Sequence, residues 1–215
     1  MHKHARVLAF ALDSPKLWSV LFIVSAVLAT ADAGPQTSQP PNCIVGTLNA
    51  PVRLEVFSDF QCPACRTFYL DVVTQVVKNY GFSGKICILY HEFPLDMHPY
   101  GRKAARYSLA AQRLGRMQWL AVVDALYKRQ PQWALDGGIE ASLIGTVSAE
   151  DLLRMRSIAL EPAIEETIAR EIALGLSKQV KATPTVFVTA QNKEQKIEHL
   201  LPYQTWKNFF DMAAK

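Results

Sequence analysis

Short runs of strand-like apolar residues alternate along the chain with longer runs of helical period. Val52–Phe57 is rich in β-branched and aromatic residues and predicts a strand. Lys85–Phe93 predicts a second, and its nearly continuous apolar stretch Ile86–Tyr90 suggests burial on both faces. Thr185–Ala190 and Lys196–Leu201, separated by the polar segment Gln191–Gln195, predict an antiparallel hairpin. After the turn Gln61–Cys65, apolar Phe68, Val72, Val73, Val76 and Val77 fall at helical spacing and predict a helix to about Asn79. Pro63 suits its first turn, where a missing N–H costs nothing, and Gly81 and Gly84 end it. Tyr100–Leu114, Met117–Lys128, Ser148–Ile158 and Glu161–Lys178 show the same period, punctuated by Gly115, Pro131, Gly137, Gly138 and Gly145. Ser148–Asp151 resembles a capping box, Pro162 sits in the first turn of its helix, and Pro202–Ala214 predicts a closing helix.

The order is strand, helix, strand, a helical block of roughly 80 residues, hairpin, helix. The strand–helix–strand unit implies a parallel pair, and the two sheet-forming parts are incomplete apart. The pattern predicts an α/β fold with one mixed sheet flanked by helices and the helical block inserted as a cap.

The first 42 residues are of another kind. Lys3, Arg6 and Lys16 precede the apolar run Leu17–Ala31, which is short for a span of about 20 residues. Ala29-Thr30-Ala31 and Ala31-Asp32-Ala33 both offer an A-x-A cleavage site. Residues 1–33 therefore suggest a secretory signal peptide, with an uncleaved anchor at 17–31 as the alternative. Either reading puts the folded part outside the cytoplasm, periplasmic or otherwise extracytoplasmic, where thiols can oxidise. Residues 34–42 form a Pro-, Gln- and Ser-rich tether. About 170 residues remain, enough for one domain with a real core. Removing residues 1–33 takes away three basic and two acidic side chains, lowering the formal charge from +4 to +3 with no clustered Lys/Arg run. Nucleic acid binding is unsupported, and the membrane enters only through the N-terminal segment if it stays attached.

Cys62-Pro63-Ala64-Cys65 carries the chemistry. Two thiols at this spacing at a helix start form a reversible disulfide. The helix N-terminus offers unpaired N–H groups and partial positive charge that stabilise a thiolate. The thiolate is the reactive form, which makes Cys62 the nucleophile and Cys65 the partner that resolves a mixed disulfide. A structural disulfide or half of a zinc site are the alternatives. Zinc needs four ligands, and Cys43, Cys87, His91 and His98 supply no second paired motif, so no metal and no cofactor are expected.

The chain resembles the thioredoxin-fold disulfide oxidoreductases of the DsbA type. The resemblance rests on Ala50-Pro51-Val52, on Phe57–Cys65 (FSDFQCPAC), on Phe93-Pro94-Leu95 with His98 and Pro99, and on Thr183-Pro184-Thr185, in the family's order. It implies a thioredoxin-like domain made of residues 43–97 and 179–215, with residues 98–178 as an inserted helical subdomain. It implies that Cys62 is the exposed attacking thiol and Cys65 the buried one. Pro184 would be a cis-proline facing the pair, and Thr183 would offer its backbone to a substrate polypeptide. An edge strand at Ile44-Val45 would lie beside the strand that holds Cys87, which makes a Cys43–Cys87 disulfide possible, with two unpaired thiols as the alternative.

The chain departs from the family in two places. Many relatives carry a buried acid six residues before the first cysteine; here that residue is Val56, and Glu55 points to the opposite face. The strongest oxidants carry His before the second cysteine; here it is Ala64. Without that His, the Cys62 pKa is expected in the upper half of the range of about 3.5–7.5, lowered mainly by the helix terminus and backbone donors. The function implied is exchange of the Cys62–Cys65 disulfide with cysteine-containing client polypeptides, most simply as an oxidant reoxidised by a membrane redox partner. A reductase or isomerase running the same exchange, or a non-enzymatic peptide-binding module, are the alternatives. His91, His98, the tryptophans and Phe209-Phe210 are expected to be structural, and the basic residues across 102–116 to form a solvated helix face.

Overall fold

The computed structural model describes residues 43–213. The expected signal peptide or anchor and the tether lie outside the described residues. Five strands form one sheet: β1 (Val45–Gly46), β2 (Val52–Ser58), β3 (Ile86–Glu92), β4 (Thr185–Ala190) and β5 (Lys193–Ile197), in the order β1-β3-β2-β4-β5. β2 and β3 run parallel, with Val56 opposite Tyr90 and Ser58 opposite Glu92. β1 is antiparallel to β3, β4 to β2, and β5 to β4. Gly46 adopts φ +84°, and a Cβ there would lie 1.7 Å from the Ile86 carbonyl oxygen, so only glycine lets β1 approach β3 this closely.

Side chains alternate between two faces along each strand. One face carries Val52, Leu54, Val56, Ile86, Ile88, Tyr90, Val186 and Val188 into the main core. There it meets α1 (Pro63–Phe68), which continues through a π-helical turn (Tyr69–Val73) into α2 (Thr74–Tyr80). The closing helix α9 (Tyr203–Ala213) joins the same layer, with Trp206 against Phe68 and Phe210 against Tyr80. The other face carries Phe57, Phe93 and Phe187, packed with Val180 and with Ile172 of α8 (Pro162–Ser177).

Between β3 and β4 run α3 (Gly101–Leu114), α4 (Arg116–Lys128), α5 (Gln130–Asp136), α6 (Ile139–Leu143), α7 (Ala149–Ile158) and α8. The expected mixed sheet with a helical insertion is borne out. Three details differ. α5 and α6 are helices where the sequence suggested only punctuation: they are short, and Pro131 sits in the first turn of α5 rather than ending anything. β5 begins at Lys193, not Lys196, after a tight turn in which Gln191 and Asn192 take positive φ. It is an exposed polar edge strand, so its residues carry no apolar signal. The basic face of α3 is also not merely solvated, because Arg102 and Arg106 pair with Glu165, and Arg113 pairs with Glu161, tying α3 to α8. Among the described residues no helix is long and apolar enough to cross a membrane.

Candidate functional site

β2 delivers the chain to the cysteines. At its end Asp59–Gln61 turns sharply: the Cys62 amide donates to the Asp59 carbonyl at 3.1 Å, and Cys62 caps α1 in an extended conformation. Pro63 fills the first helical position, so Cys65 falls in the first turn and faces inward. Pro63 thus stands in the first turn, as the sequence suggested. Cys65 is 0% exposed and Cys62 only 7%, both as free thiols. The resemblance implied an exposed Cys62; in the structure it is nearly buried. Thr183 screens it, and the Cys62 Sγ donates to the Thr183 carbonyl at 3.3 Å.

The two thiols differ sharply in acidity. Cys62 is lowered from 9.0 to about 5, chiefly because the Cys65 side chain hydrogen-bonds to it. Burial opposes this, while the Thr183 side chain and the backbone donors of Cys65 and Ala64 assist. The value lies just below the expected upper half of the range, and the partner thiol matters more than the helix terminus. Cys65 moves the other way: burial raises it well above the ordinary value, as does the neighbouring Cys62. Its sulfur accepts from the Asp59 amide at 3.4 Å.

A polar frame holds this turn. The Asp59 side chain, 1% exposed, accepts from the Gln61 amide at 2.8 Å, from the Leu95 amide at 2.8 Å, and pairs with His98 Nδ1 at 2.6 Å. Gly101 lies against that carboxyl group; a Cβ there would sit 2.6 Å from Asp59 Oδ1. Gln130 of α5 donates to the carbonyls of Phe60 at 2.6 Å and Cys62 at 3.0 Å. Gln61 donates to Ala134 and accepts from the Tyr100 amide, and Arg66 donates to the Tyr127 carbonyl. The helical insertion therefore grips the turn at several points.

The structure brings Cys62, Cys65 and Thr183 together, and Pro184, which follows Thr183, has a cis peptide bond. Pro63 is exposed and Ala64 half-buried. Val56 is buried and apolar, and Glu55 lies on the other face, bound to Lys178 at 2.5 Å. His91 stacks on Phe57 and His98 joins the frame, structural places for both. Cys43 and Cys87 form a disulfide with Cα atoms 5.3 Å apart, away from the redox pair and linking the lead-in to β1 with β3. Sequence reasoning gave no role to Asp59, Gln130, Ser58, Tyr90 or Tyr127. Asp59 stood inside the quoted FSDFQCPAC run, whereas Gln130 had no local signal.

A family model described as thioredoxin matches residues 38–211, most of the chain. The chain belongs to the thioredoxin family. Among curated members with related sequences, it is 23% identical over 152 residues to a probable disulfide bond formation protein D of Bacillus cereus, covering 67% of this chain and 68% of that one. It is 22% identical over 184 residues to disulfide bond formation protein D of Bacillus subtilis strain 168, covering 80% and 77%. Among solved structures, Wolbachia pipientis alpha-DsbA1 superposes with a TM-score of 0.67 at 19% identity, over 81% of this chain and 92% of that one. This thioredoxin-family chain thus has the DsbA-type fold that its motifs implied.

Proposed function

We propose that the chain is an exported thiol–disulfide oxidoreductase that exchanges a Cys62–Cys65 disulfide with cysteines of client polypeptides, chiefly as an oxidant. The carrying observation is the asymmetry of the pair: a slightly accessible thiol lowered to about 5 beside a fully buried thiol raised well above its ordinary value. A client thiolate attacks the accessible sulfur and forms a mixed disulfide on Cys62. A second client thiolate then takes over that bond and leaves the client oxidised and the enzyme reduced. At neutral pH the Cys62 thiolate stabilises the reduced form. Relative to a thiol at 9.0, a value of about 5 contributes on the order of 3 kcal/mol at pH 7, which is oxidising power on the order of 60 mV for two electrons.

Thr183 and Pro184 would line the client's path, with the Thr183 carbonyl, now engaged by Cys62, free to accept a client amide once that thiol has reacted. Residues 43–97 and 179–215 would form the thioredoxin-like domain, and 98–178 the inserted subdomain that grips the turn. Work outside the cytoplasm is supported by the leader-like residues 1–33 and by the Cys43–Cys87 disulfide, which persists in oxidising compartments. Each oxidation leaves two electrons on the enzyme, so a membrane redox partner would remove them.

The test compares wild type with Cys62→Ser in dithiothreitol-driven insulin reduction and in equilibration with glutathione. The proposal expects activity lost in the variant and a potential on the oxidising side of about −200 mV, toward the roughly −120 mV of strong oxidants. Equal insulin reduction would leave only a peptide-binding module, and a potential near about −270 mV would make the protein a reductase.

A further inference from the structure

When a client opens the Cys62–Cys65 disulfide, the client sulfur bonds to Cys62 Sγ and the Sγ–Sγ bond breaks. The electron pair stays on Cys65, and no proton moves in that step. Cys65 is out of contact with solvent, so its thiolate needs a donor from the protein. The structure aims one at it: the Asp59 amide donates to Cys65 Sγ at 3.4 Å. That aim depends on how Asp59 is held. Its side chain is fully buried, and each carboxyl oxygen accepts a backbone N–H at 2.8 Å, Oδ1 from Gln61 and Oδ2 from Leu95. Two accepting oxygens are the pattern of a carboxylate, so His98 Nδ1, 2.6 Å from Oδ2, carries a hydrogen and donates it. Among the described residues, His98 is the one side chain that pairs with this buried group.

We propose that the Asp59 amide is the donor that stabilises the departing Cys65 sulfur, and that His98 is the positioning residue that keeps it aimed. The amide and the carboxylate hang from one Cα, so a carboxylate pinned by three donors fixes the N–H as well. Without the His98 hydrogen, a buried charge is left short of a partner and pulls Asp59 toward other donors. The loop that carries His98, between β3 and α3, keeps its shape without the ring. The His98 amide donates to the Leu95 carbonyl at 2.9 Å, and the Gly101 amide donates to the His98 carbonyl at 3.1 Å. From the other side Gly101 leaves the carboxylate just enough room, since a Cβ there would lie 2.6 Å from Oδ1. The titratable groups facing Asp59 are His98, Cys65 of α1 and Glu92 of β3.

The test is stopped-flow opening of the oxidised protein by reduced glutathione at pH 7, for wild type, His98→Leu, His98→Asn and Gly101→Ala. A weakened hydrogen bond to a charged group predicts opening slowed about 3- to 30-fold in His98→Leu. His98→Asn, whose side-chain amide can donate from the place of Nδ1, recovers most of the rate. Gly101→Ala crowds the carboxylate with the ring left in place, and slows opening as His98→Leu does. In both slow variants the pH profile for Cys65 attacking a Cys62–glutathione mixed disulfide moves to higher pH. The Cys62 alkylation profile of the reduced protein keeps its midpoint. Opening at the wild-type rate in His98→Leu and Gly101→Ala overturns the inference, as does a His98→Asn variant as slow as His98→Leu. A matching shift of the two profiles, the mark of general loosening, also overturns it. The inference rests on the disulfide-exchange reading. A wild-type protein inert to glutathione sinks that reading, whereas a reactive wild type with equally reactive variants sinks this inference alone.

Discussion

The Asp59→Ala variant probes the frame on which the cysteine turn hangs. Asp59 Oδ1 takes the Gln61 amide, and Oδ2 takes the Leu95 amide together with His98 Nδ1. Alanine leaves two backbone N–H groups without their acceptor. An unpaired buried donor costs about 1–3 kcal/mol. Both amides are partly buried, so values near the lower half apply, and the sum is about 3 kcal/mol. For a domain of this size that is a fall in Tm of about 6–12 °C. Asparagine keeps one acceptor oxygen and should lose about half as much. The assay is urea unfolding followed by tryptophan fluorescence, with every variant held in one redox state and the slope checked for constancy. An alanine variant within about 1 kcal/mol of wild type, or an asparagine variant as unstable as alanine, would refute the reasoning.

The remaining predictions concern other parts of the molecule. Replacing both Cys43 and Cys87 by alanine removes a link across 44 residues and should lower stability by about 4 kcal/mol in urea unfolding, while the rate of thiol exchange at Cys62 stays within about twofold. Glu92, 2% exposed with Oε2 unpaired, has its pKa raised well above 4.5, first by burial and then by Glu171. The folded state therefore binds more protons than the unfolded one above about pH 4.5, and wild type loses stability as pH rises toward the folded pKa. Glu92→Gln lacks that loss, so its advantage in unfolding free energy should grow by up to about 1.4 kcal/mol per pH unit; an advantage flat from pH 5 to 8 contradicts the burial argument. Ser148 caps α7 by accepting from the Asp151 amide at 3.0 Å, and Ser148→Ala should lower stability by about 1 kcal/mol.

Much of the sheet was legible because buried strands announce themselves. Ile86–Tyr90 is apolar since both faces of β3 are covered, whereas Val52–Phe57 shows itself by β-branched and aromatic residues alternating with half-buried Arg53 and Glu55. β5 was misplaced for the converse reason: an exposed edge strand of Lys, Glu and Gln has nothing apolar to repeat. α5 and α6 are too short to show a period, and they fold because they pack on their neighbours rather than through their own propensity. The two cysteines were legible from four consecutive residues. Their surroundings were not, because Gln130 and Thr183 approach Cys62 from 68 and 121 residues away along the chain. No local pattern encodes that Gln130 will clamp the Cys62 carbonyl, or that Ser58 will meet Tyr127. The acidity of Cys62 was underestimated for the same reason: the helix terminus is visible in sequence, whereas the close approach of the second thiol is a matter of three-dimensional placement.

The central claim is that Cys62 is ionised at neutral pH because Cys65 and the surrounding donors hold it so. The most direct measurement is the rate of iodoacetamide alkylation of Cys62 in the protein with Cys62 and Cys65 reduced, followed by mass spectrometry from pH 3 to 10. The account predicts a rate that rises through a midpoint near about 5 and is already on its plateau at pH 7. A midpoint near 9.0, the ordinary thiol value, would contradict it.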